Sequence, residues 1–544
     1  MKIVTINQYF NTDFFILQTK RFTLPMKFTK QLLLLVGLQF ITNFITGQDS
    51  LVNFNQVKFS SELERASVYN CIHDNNADYF DLFYEAAPNC KVENLQNAKN
   101  RFDTYLLTLN NNKFKGLKPD KKIKAVYKSV QDQFFKKYEF YSTFNQIFDN
   151  GTFNCVTGTS LYGQILSKLN ISFEIKETPN HVYLVSYPQT LNIKVESTDP
   201  LQGYISYTDK FKSEMIDYLK KNKLIDEQEA NSKTVNDLFN TYYYSDSHLS
   251  LRELAGLQYF NNAVNLVENK NTKGAITQLE IAYLLYPAKK IEFSLLMALS
   301  EVISQMKYDS ISDVGYFVKL SKYIGRSLTV EQLKSEFARI TQLQLVEKSR
   351  SKYYKEIYTY LDKNITNKEL RTEISVIYNY ETGRFLYNHG SYEEGRESFA
   401  NAFRLKPENS DIRAAFTESL FRYLPNVDPS KVVETIENYF NEFPILKENK
   451  LLMTQLVLSC LYQSYMAFKI SDIRSGEFYL EKFENYQRII QLQENLSQLI
   501  FDTYSSAAAY YFKRNNSKKA REYVNRGLKI DPSNMMLKNL LNNI

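Results

Sequence analysis

The sequence predicts an α+β amino-terminal part, in which a helix carrying a cysteine packs on an antiparallel sheet, followed by an all-α array of stacked helix pairs. Three observations predict it. Gly and Pro number only 16 and 12 in 544 residues, well under a combined usage of about 12% in ordinary proteins, so long helices with few breaks are expected and turn-rich sandwiches and propellers are not. Between residues 141 and 204, β-branched and aromatic residues alternate with polar ones in HVYLVSYP and IKVEST, separated by QTLN, which reads as a hairpin. From Leu251 onward helical periodicity returns and persists to the end, in units of about 34 residues that close on Pro.

The length leaves room for three or four domains at roughly 150 residues each. With 44% apolar and 23% charged residues, the composition is that of a globular chain and excludes both disorder and a multi-span membrane protein. The net charge is +7. Residues 1–47 carry five basic residues and only Asp13 among the acids, so the remainder is nearly balanced and gives no electrostatic footprint for nucleic acid. Trp is absent, and 41 Tyr and 38 Phe supply the large core residues.

Read from Met26, MKFTKQLLLLVGLQFITNFITGQDS has a basic start at Lys27 and Lys30 and an apolar run from Leu32 to Ile41, the pattern of a secretory signal. Residues 1–47 are thus expected to be a signal peptide cleaved after Gly47, with the true start at Met26 or an unusually long basic lead before it. The expected destination is the periplasm or the exterior. An uncleaved anchor is the alternative, although polar Gln39, Thr42 and Asn43 interrupt the run before the ~20 apolar residues of a spanning helix accumulate. Residues 48–210 form the cysteine domain with a helical first part, 211–250 a polar, Tyr-rich connector, and 251–544 the helical repeats.

The chain has four cysteines. In an exported protein Cys71 and Cys90 are a candidate disulfide closing a loop of about twenty residues, worth ~3 kcal/mol by the chain-entropy argument. Cys71, His73 and Cys90 have metal-ligand chemistry but no fourth partner in sequence, and neither metal nor cofactor is expected. Cys460 lies in the apolar run LLMTQLVLSCLYQSYMAF and reads as inert core.

Four repeat windows align. From Gly256, residues Tyr259, Ala263, Leu266, Ala275, Leu279, Ala282 and Pro287 set the pattern, and Val376–Pro407, Arg413–Pro444 and Phe501–Pro532 follow it with Gly383, Gly395 and Ala402, or Ala508, Ala520 and Gly527, at the small positions. Small residues there let two helices approach closely, and Pro stops the second helix. The Arg413 window has bulkier Leu420 and Tyr439. Residues 288–375 and 445–500 keep helical spacing without the small-residue signature. A generic helical bundle is the plainer reading.

The segment that could carry chemistry is 151–200. Cys155 stands just before a helical run, Leu161 to Leu169, where backbone N–H groups and the helix dipole favour a thiolate. His181 opens one strand of the hairpin and Asp199 closes the other, with their midpoint at Thr190. A ladder symmetric about Thr190 sets His181 directly across from Asp199, with Cβ atoms roughly 4.5–5.5 Å apart. That makes nucleophile, base and orienting acid, with Glu196 a substitute for Asp199. Taken singly, a cysteine beside a helix and a lone histidine are more often structural. Of the other histidines, His248 and His389 fall in connector and turn positions, and His73 lies beside Cys71.

NCVTGTSLYGQILSKLNI, then ETPNHVYLV, then VESTDP resembles the Cys, His and Asp motifs of bacterial transglutaminase-like proteins, a branch of the papain-like cysteine enzymes, over roughly residues 125–205. The resemblance implies a papain-type core with Cys155 as nucleophile, His181 as base and Asp199 as orienting acid, and it fits repeats that follow the core and resemble the tetratricopeptide repeat. Many relatives place a Trp near the oxyanion, which this chain lacks, leaving the Cys155 backbone N–H and the Gln146 side chain as donors. The expected function is an exported thiol enzyme that hydrolyses or transfers amide or peptide bonds, with a protein or peptide substrate recruited or restricted by the repeats. No nucleic acid partner and no membrane span after signal cleavage are expected. The alternative is an inactive protein-binding scaffold.

Overall fold

The computed structural model describes residues 51–544 apart from 75–77, 88–89, 91, 179–180, 198–208, 223, 244–247 and 490–495. The signal sequence expected at 1–47 and the expected orienting acid Asp199 lie outside the described residues. Among the described residues, twenty-five α-helices stand against six strands, none longer than six residues. The chain is mostly α, which corrects the α+β class and papain-type core expected from sequence. The hairpin forms where alternation placed it, but that alternation is brief, whereas the segments on either side of it are helical and supply most of the buried residues.

The strands are β1 (Lys137–Tyr138), β2 (Thr152–Phe153), β3 (Phe173–Thr178), β4 (His181–Ser186), β5 (Ile193–Val195) and β6 (His248–Leu249). β1 and β2 pair in parallel, and the other four form an antiparallel sheet in the order β5-β4-β3-β6. Leu184 faces Val195 and Ser186 faces Ile193. Symmetry about Thr190 would set Leu184 opposite Glu196 instead, so the observed register is one residue away from the expected one.

The chain divides into two compact units. One runs to Ser335 and takes in Lys363–Asn367, and the other comprises Glu336–Asp362 and Lys368–Ile544. In the first, Phe80 gathers Phe102, Phe144 and Phe148 with ring centroids 5.0–5.4 Å away. Helix Leu251–Glu268 is tied to the beginning of the described chain, because the Tyr259 hydroxyl donates to Glu64 Oε1 at 3.0 Å and the Asn262 side chain donates to the Ala86 carbonyl at 2.8 Å. Glu64 also accepts from the backbone and hydroxyl of Ser60. A second buried carboxylate, Glu177 of β3, pairs with Lys290 and accepts from the Tyr286 hydroxyl at 3.1 Å.

The helices follow the repeat windows closely. Helices end at Leu285, Leu405, Glu442 and Ile530, and Pro287, Pro407, Pro444 and Pro532 each stand two residues later, where Pro cannot continue a helix. In the second unit a Cβ on Gly383 would lie 2.9 Å from the Phe399 ring, and one on Gly395 3.2 Å from the Gly383 carbonyl. Helices Lys368–Asn388 and Tyr392–Leu405 therefore cross at a distance only glycine permits. The same device occurs in helices Lys450–Lys469 and Ile473–Gln487, where Ser464 Oγ donates to the Gly476 carbonyl at 2.9 Å. That pair falls in 445–500, so the small-residue signature denied to this stretch is present. It escapes a Pro-anchored search because Arg488 stands where Pro would. Helix Lys450–Lys469 is long and apolar enough to cross a membrane by composition, and half of its most apolar window is buried inside the unit. With Trp absent, Tyr259 and Tyr504 fill the large position of their windows, and each hydroxyl finds a glutamate, Glu64 or Glu484.

Two stability measurements follow. Ala275 and Ala520 are fully buried, so Ala275→Leu and Ala520→Leu should each overpack a helix crossing and cost about 1–3 kcal/mol, read as a lower urea midpoint of the full chain. Unchanged midpoints for both would mean that the crossings have room to spare. Lys290→Met strands the buried Glu177 charge and should cost about 3–5 kcal/mol. Lys290→Met with Glu177→Leu should recover most of that loss, and an equal loss in the double variant would assign the cost to packing.

Candidate active site

The site is built at the start of helix Cys155–Lys168. Asn154 caps it: Oδ1 accepts from the Thr157 N–H at 2.9 Å, while the Asn154 N–H donates to Thr157 Oγ1 at 2.8 Å. The other end of the same amide donates to the carbonyls of Phe140 and Ser142 at 2.9 and 2.8 Å. One buried side chain thus fixes the helix start against the turn that follows β1, and Cys155 becomes the first helical residue.

Backbone N–H groups of Val182, Val156 and Cys155 itself lie near enough to the Cys155 sulfur to favour its thiolate. Val182 belongs to β4 beside His181, and its carbonyl accepts from Thr159 Oγ1 at 3.2 Å. Neighbouring residues of an antiparallel strand turn their backbone groups to opposite sides, and Tyr187 N–H bonds toward the β3 side at Ser172. Val182, five residues earlier, therefore faces the side where β5 ends, and the helix start occupies it. Gly158 permits this approach, since a Cβ there would lie 2.7 Å from the Ser197 Cβ.

His181 is largely buried, and its Nε2 is paired with Glu196 Oε1. Glu196 Oε2 lies 2.7 Å from Lys194 Nζ, which sits 4.2 Å from the centre of the Tyr183 ring. Tyr183 in turn lies parallel to the imidazole at 6.2 Å. The one-residue change of register explains why Glu196 and not Asp199 reaches the ring: continued past Val195, the ladder brings Glu196 opposite Tyr183, on the face that His181 shares. No hydrogen bond joins Cys155 to His181 in this structure.

The thiol itself departs from expectation. The residue keeps partial exposure, but protein surrounds the sulfur, and this burial pushes the thiol up to about 11, with the Glu196 charge adding to it and the three N–H groups opposing. Desolvation outweighs the helix terminus, so the resting group is a thiol and not the expected thiolate. Tyr138 of β1, pushed up to about 12 by burial and by the proximity of Cys155, completes the surroundings.

The remaining expectations change as follows. Gln146 does not serve the thiol: its carbonyl oxygen accepts from the Thr143 N–H at 2.9 Å and from Ser142 Oγ at 3.1 Å, in the cap of helix Phe144–Asp149. The disulfide expected between Cys71 and Cys90 is not formed. Cys71 is buried, and the Cys90 thiol donates to Glu85 Oε1 at 3.3 Å. Burial pushes both thiols up to about 12. His73 is exposed, stacked on Tyr69, with Nδ1 on the Tyr69 carbonyl. Among the described residues no group of three or more His, Cys, Asp and Glu is placed to hold a metal ion. Cys460 is buried in the second unit. Lys194, Tyr183, Asn154 and Gly158 escaped the sequence reading. The Asn154/Thr157 capping box was the legible signal among them.

No protein-family model matches the sequence, and no curated protein matches it. The assignment of this site therefore rests on its geometry and chemistry.

The raised thiol sets a pH dependence. Alkylation of Cys155 by iodoacetamide, followed by peptide mapping, should quicken about tenfold per pH unit through the alkaline range and level off only near the value of about 11. A plateau at about 8.5, the range of an unperturbed cysteine, would contradict the buried environment.

Proposed function

We propose that the chain is a thiol enzyme of acyl transfer or amide hydrolysis, akin in its chemistry to the transglutaminase-like enzymes that its motif order resembles, and acting through Cys155, His181 and Glu196. The observation that supports this reading is that the helix opened by Cys155 packs on β4 at Val182, through Thr159 Oγ1 on the Val182 carbonyl, beside an imidazole held at Nε2 by a carboxylate. Glu196 fixes the tautomer and leaves Nδ1 for the thiol proton. Because the resting thiol is neutral, His181 acts as a general base during attack and not as half of a preformed ion pair. The sulfur–carbon bond forms as the proton passes to His181. The carbon–nitrogen bond then breaks as the same proton reaches the leaving amine. Water or a second amine resolves the thioester. N–H groups of Cys155 and Val156, at the first turn of the helix, are donors for the oxyanion.

Lys194 Nζ, 2.7 Å from Glu196 Oε2, holds the far side of the same carboxylate. Export through residues 26–47, and a substrate held by the helical repeats, are parts of the same proposal. A binding scaffold without catalysis is the second reading, and the neutral, enclosed thiol favours it.

Acylation decides between them. An activated acyl donor such as cinnamoyl imidazole should place one acyl group on Cys155, detected by intact mass and peptide mapping. His181→Ala should slow that step by roughly 10²–10⁴-fold, and Glu196→Gln should slow it less, with urea midpoints measured alongside. Equal rates in wild type and His181→Ala would remove the enzyme reading and leave the scaffold.

A further inference from the structure

The net charge of the chain is concentrated in one place. Residues 113–137 contain nine lysines, no arginine and two acids, Asp120 and Asp132, a local charge of +7 that equals the charge of all 544 residues. Everything else sums to zero. Eight of the nine lysines are exposed, and Lys122 is half-buried. Lys121 meets Asp120 at 3.8 Å and Lys137 meets Glu139 at 2.8 Å. Among the described residues the other seven have no ion pair.

Three of these lysines line a groove. Along helix Pro119–Gln133 runs a depression of about 490 Å³, lined by Leu117 and Ala125, by Lys121, Lys124 and Lys128, and by Asp132 as its one acid. The three lysines recur at the spacing that keeps one helix face. The helix also leads to the thiol: Tyr127 stacks on Tyr162 of the site helix at 5.9 Å, Phe135 stacks on Phe153 at 4.0 Å, and Lys136 and Lys137 precede Tyr138 beside Cys155.

We propose that this groove is a docking surface for an acidic peptide segment, extended along helix Pro119–Gln133 with its carboxylates on the lysines and its apolar side chains on Leu117 and Ala125. Fifteen helical residues span about 22 Å, the length of roughly seven extended residues. Lysines on flexible stems are point charges that accept carboxylates in any orientation. Single-stranded nucleic acid fits less well, because it calls for several aromatic faces on which successive bases stack, and the segment exposes one ring, Tyr127, which already gives one face to Tyr162. A lipid surface calls for apolar side chains that project, and here Leu117 and Ala125 are half-buried. The docking surface stands whether or not Cys155 is catalytic. If it is, the acyl donor or acceptor is an acidic polypeptide.

The test uses a fluorescent peptide of roughly ten alternating Glu and Ala residues titrated into the full chain. Saturable binding is expected, weakening about tenfold or more between ~0.05 and ~0.3 M salt. Lys121→Glu, Lys124→Glu and Lys128→Glu together should weaken it at least about tenfold, with circular dichroism and Cys155 acylation by the small donor unchanged. Lys431→Glu, Lys447→Glu and Lys450→Glu, the same charge change on exposed lysines elsewhere, should leave it nearly intact. Equal weakening by both triple variants, or none by the first, would overturn the proposal. So would tighter binding of an oligothymidylate of equal charge, or of vesicles one-third phosphatidylserine.

Discussion

The backbone of Val182 is the constraint around which the first unit is arranged. Where β5 stops at Val195, β4 is left with an N–H and a carbonyl that have lost their strand partner. A bare edge of this kind must be covered. The helix that begins at Cys155 lies against it, with the Thr159 hydroxyl donating to the carbonyl and the Cys155 sulfur near the N–H. The helix that opens on a cysteine is therefore set against the strand that opens on a histidine by the ordinary requirement that a strand end be satisfied. Asn154 and Gly158 make this possible, one by fixing where the helix begins and the other by removing the side chain that would hold Ser197 away.

The sheet is held from its other side by helices. Glu177 lies on β3 directly across from Val182, and its pairing with Lys290 and Tyr286 joins that rung to the helices after residue 251. The helix pair of the Gly256 window is consequently part of the unit that carries the thiol. Glu64, at the beginning of the described chain, reaches the same helices through Tyr259. Segments far apart in sequence meet here through buried carboxylates, each satisfied by a hydroxyl or an ammonium, which is the condition under which burying such groups is tolerable.

Much of this was legible in sequence where it rests on local rules. The prolines marked helix ends to within two residues, and the small residues marked close crossings, because both act through steric exclusion inside one helix pair. Cys155 opens a helix and His181 a strand, as their local signals indicated, for the same reason. The register was not legible from alternation alone. Tyr187 and Asn192 adopt a left-handed backbone, and the N–H groups of Thr190, Leu191 and Asn192 converge on the Tyr187 carbonyl, so the turn is centred half a residue earlier than Thr190. That shift decides which acid faces the imidazole. The class of the fold was not legible from the hairpin, because its alternation covers only short strands while the helices on either side supply most of the buried residues. The thiol's state depends on how much protein closes over the sulfur, a quantity that no spacing in the chain encodes.

The tyrosine–glutamate pairs bear on how this sequence can change over time. Tyr259 and Glu64 are 195 residues apart, both buried, and each is the other's hydrogen-bond partner. Burial raises Glu64 above the usual carboxylate range and Tyr259 further above its own. Phe at position 259 keeps the ring and removes the donor, leaving Glu64 enclosed with fewer partners. A neutral side chain at position 64 leaves the phenol in the same difficulty. Either substitution alone passes through a weakened intermediate, whereas the two together remove the mismatch between these positions and leave only the Ser60 donors to find another acceptor. Descendants of this chain are expected to keep both residues or lose both, so that a pair distant in sequence drifts as a single character.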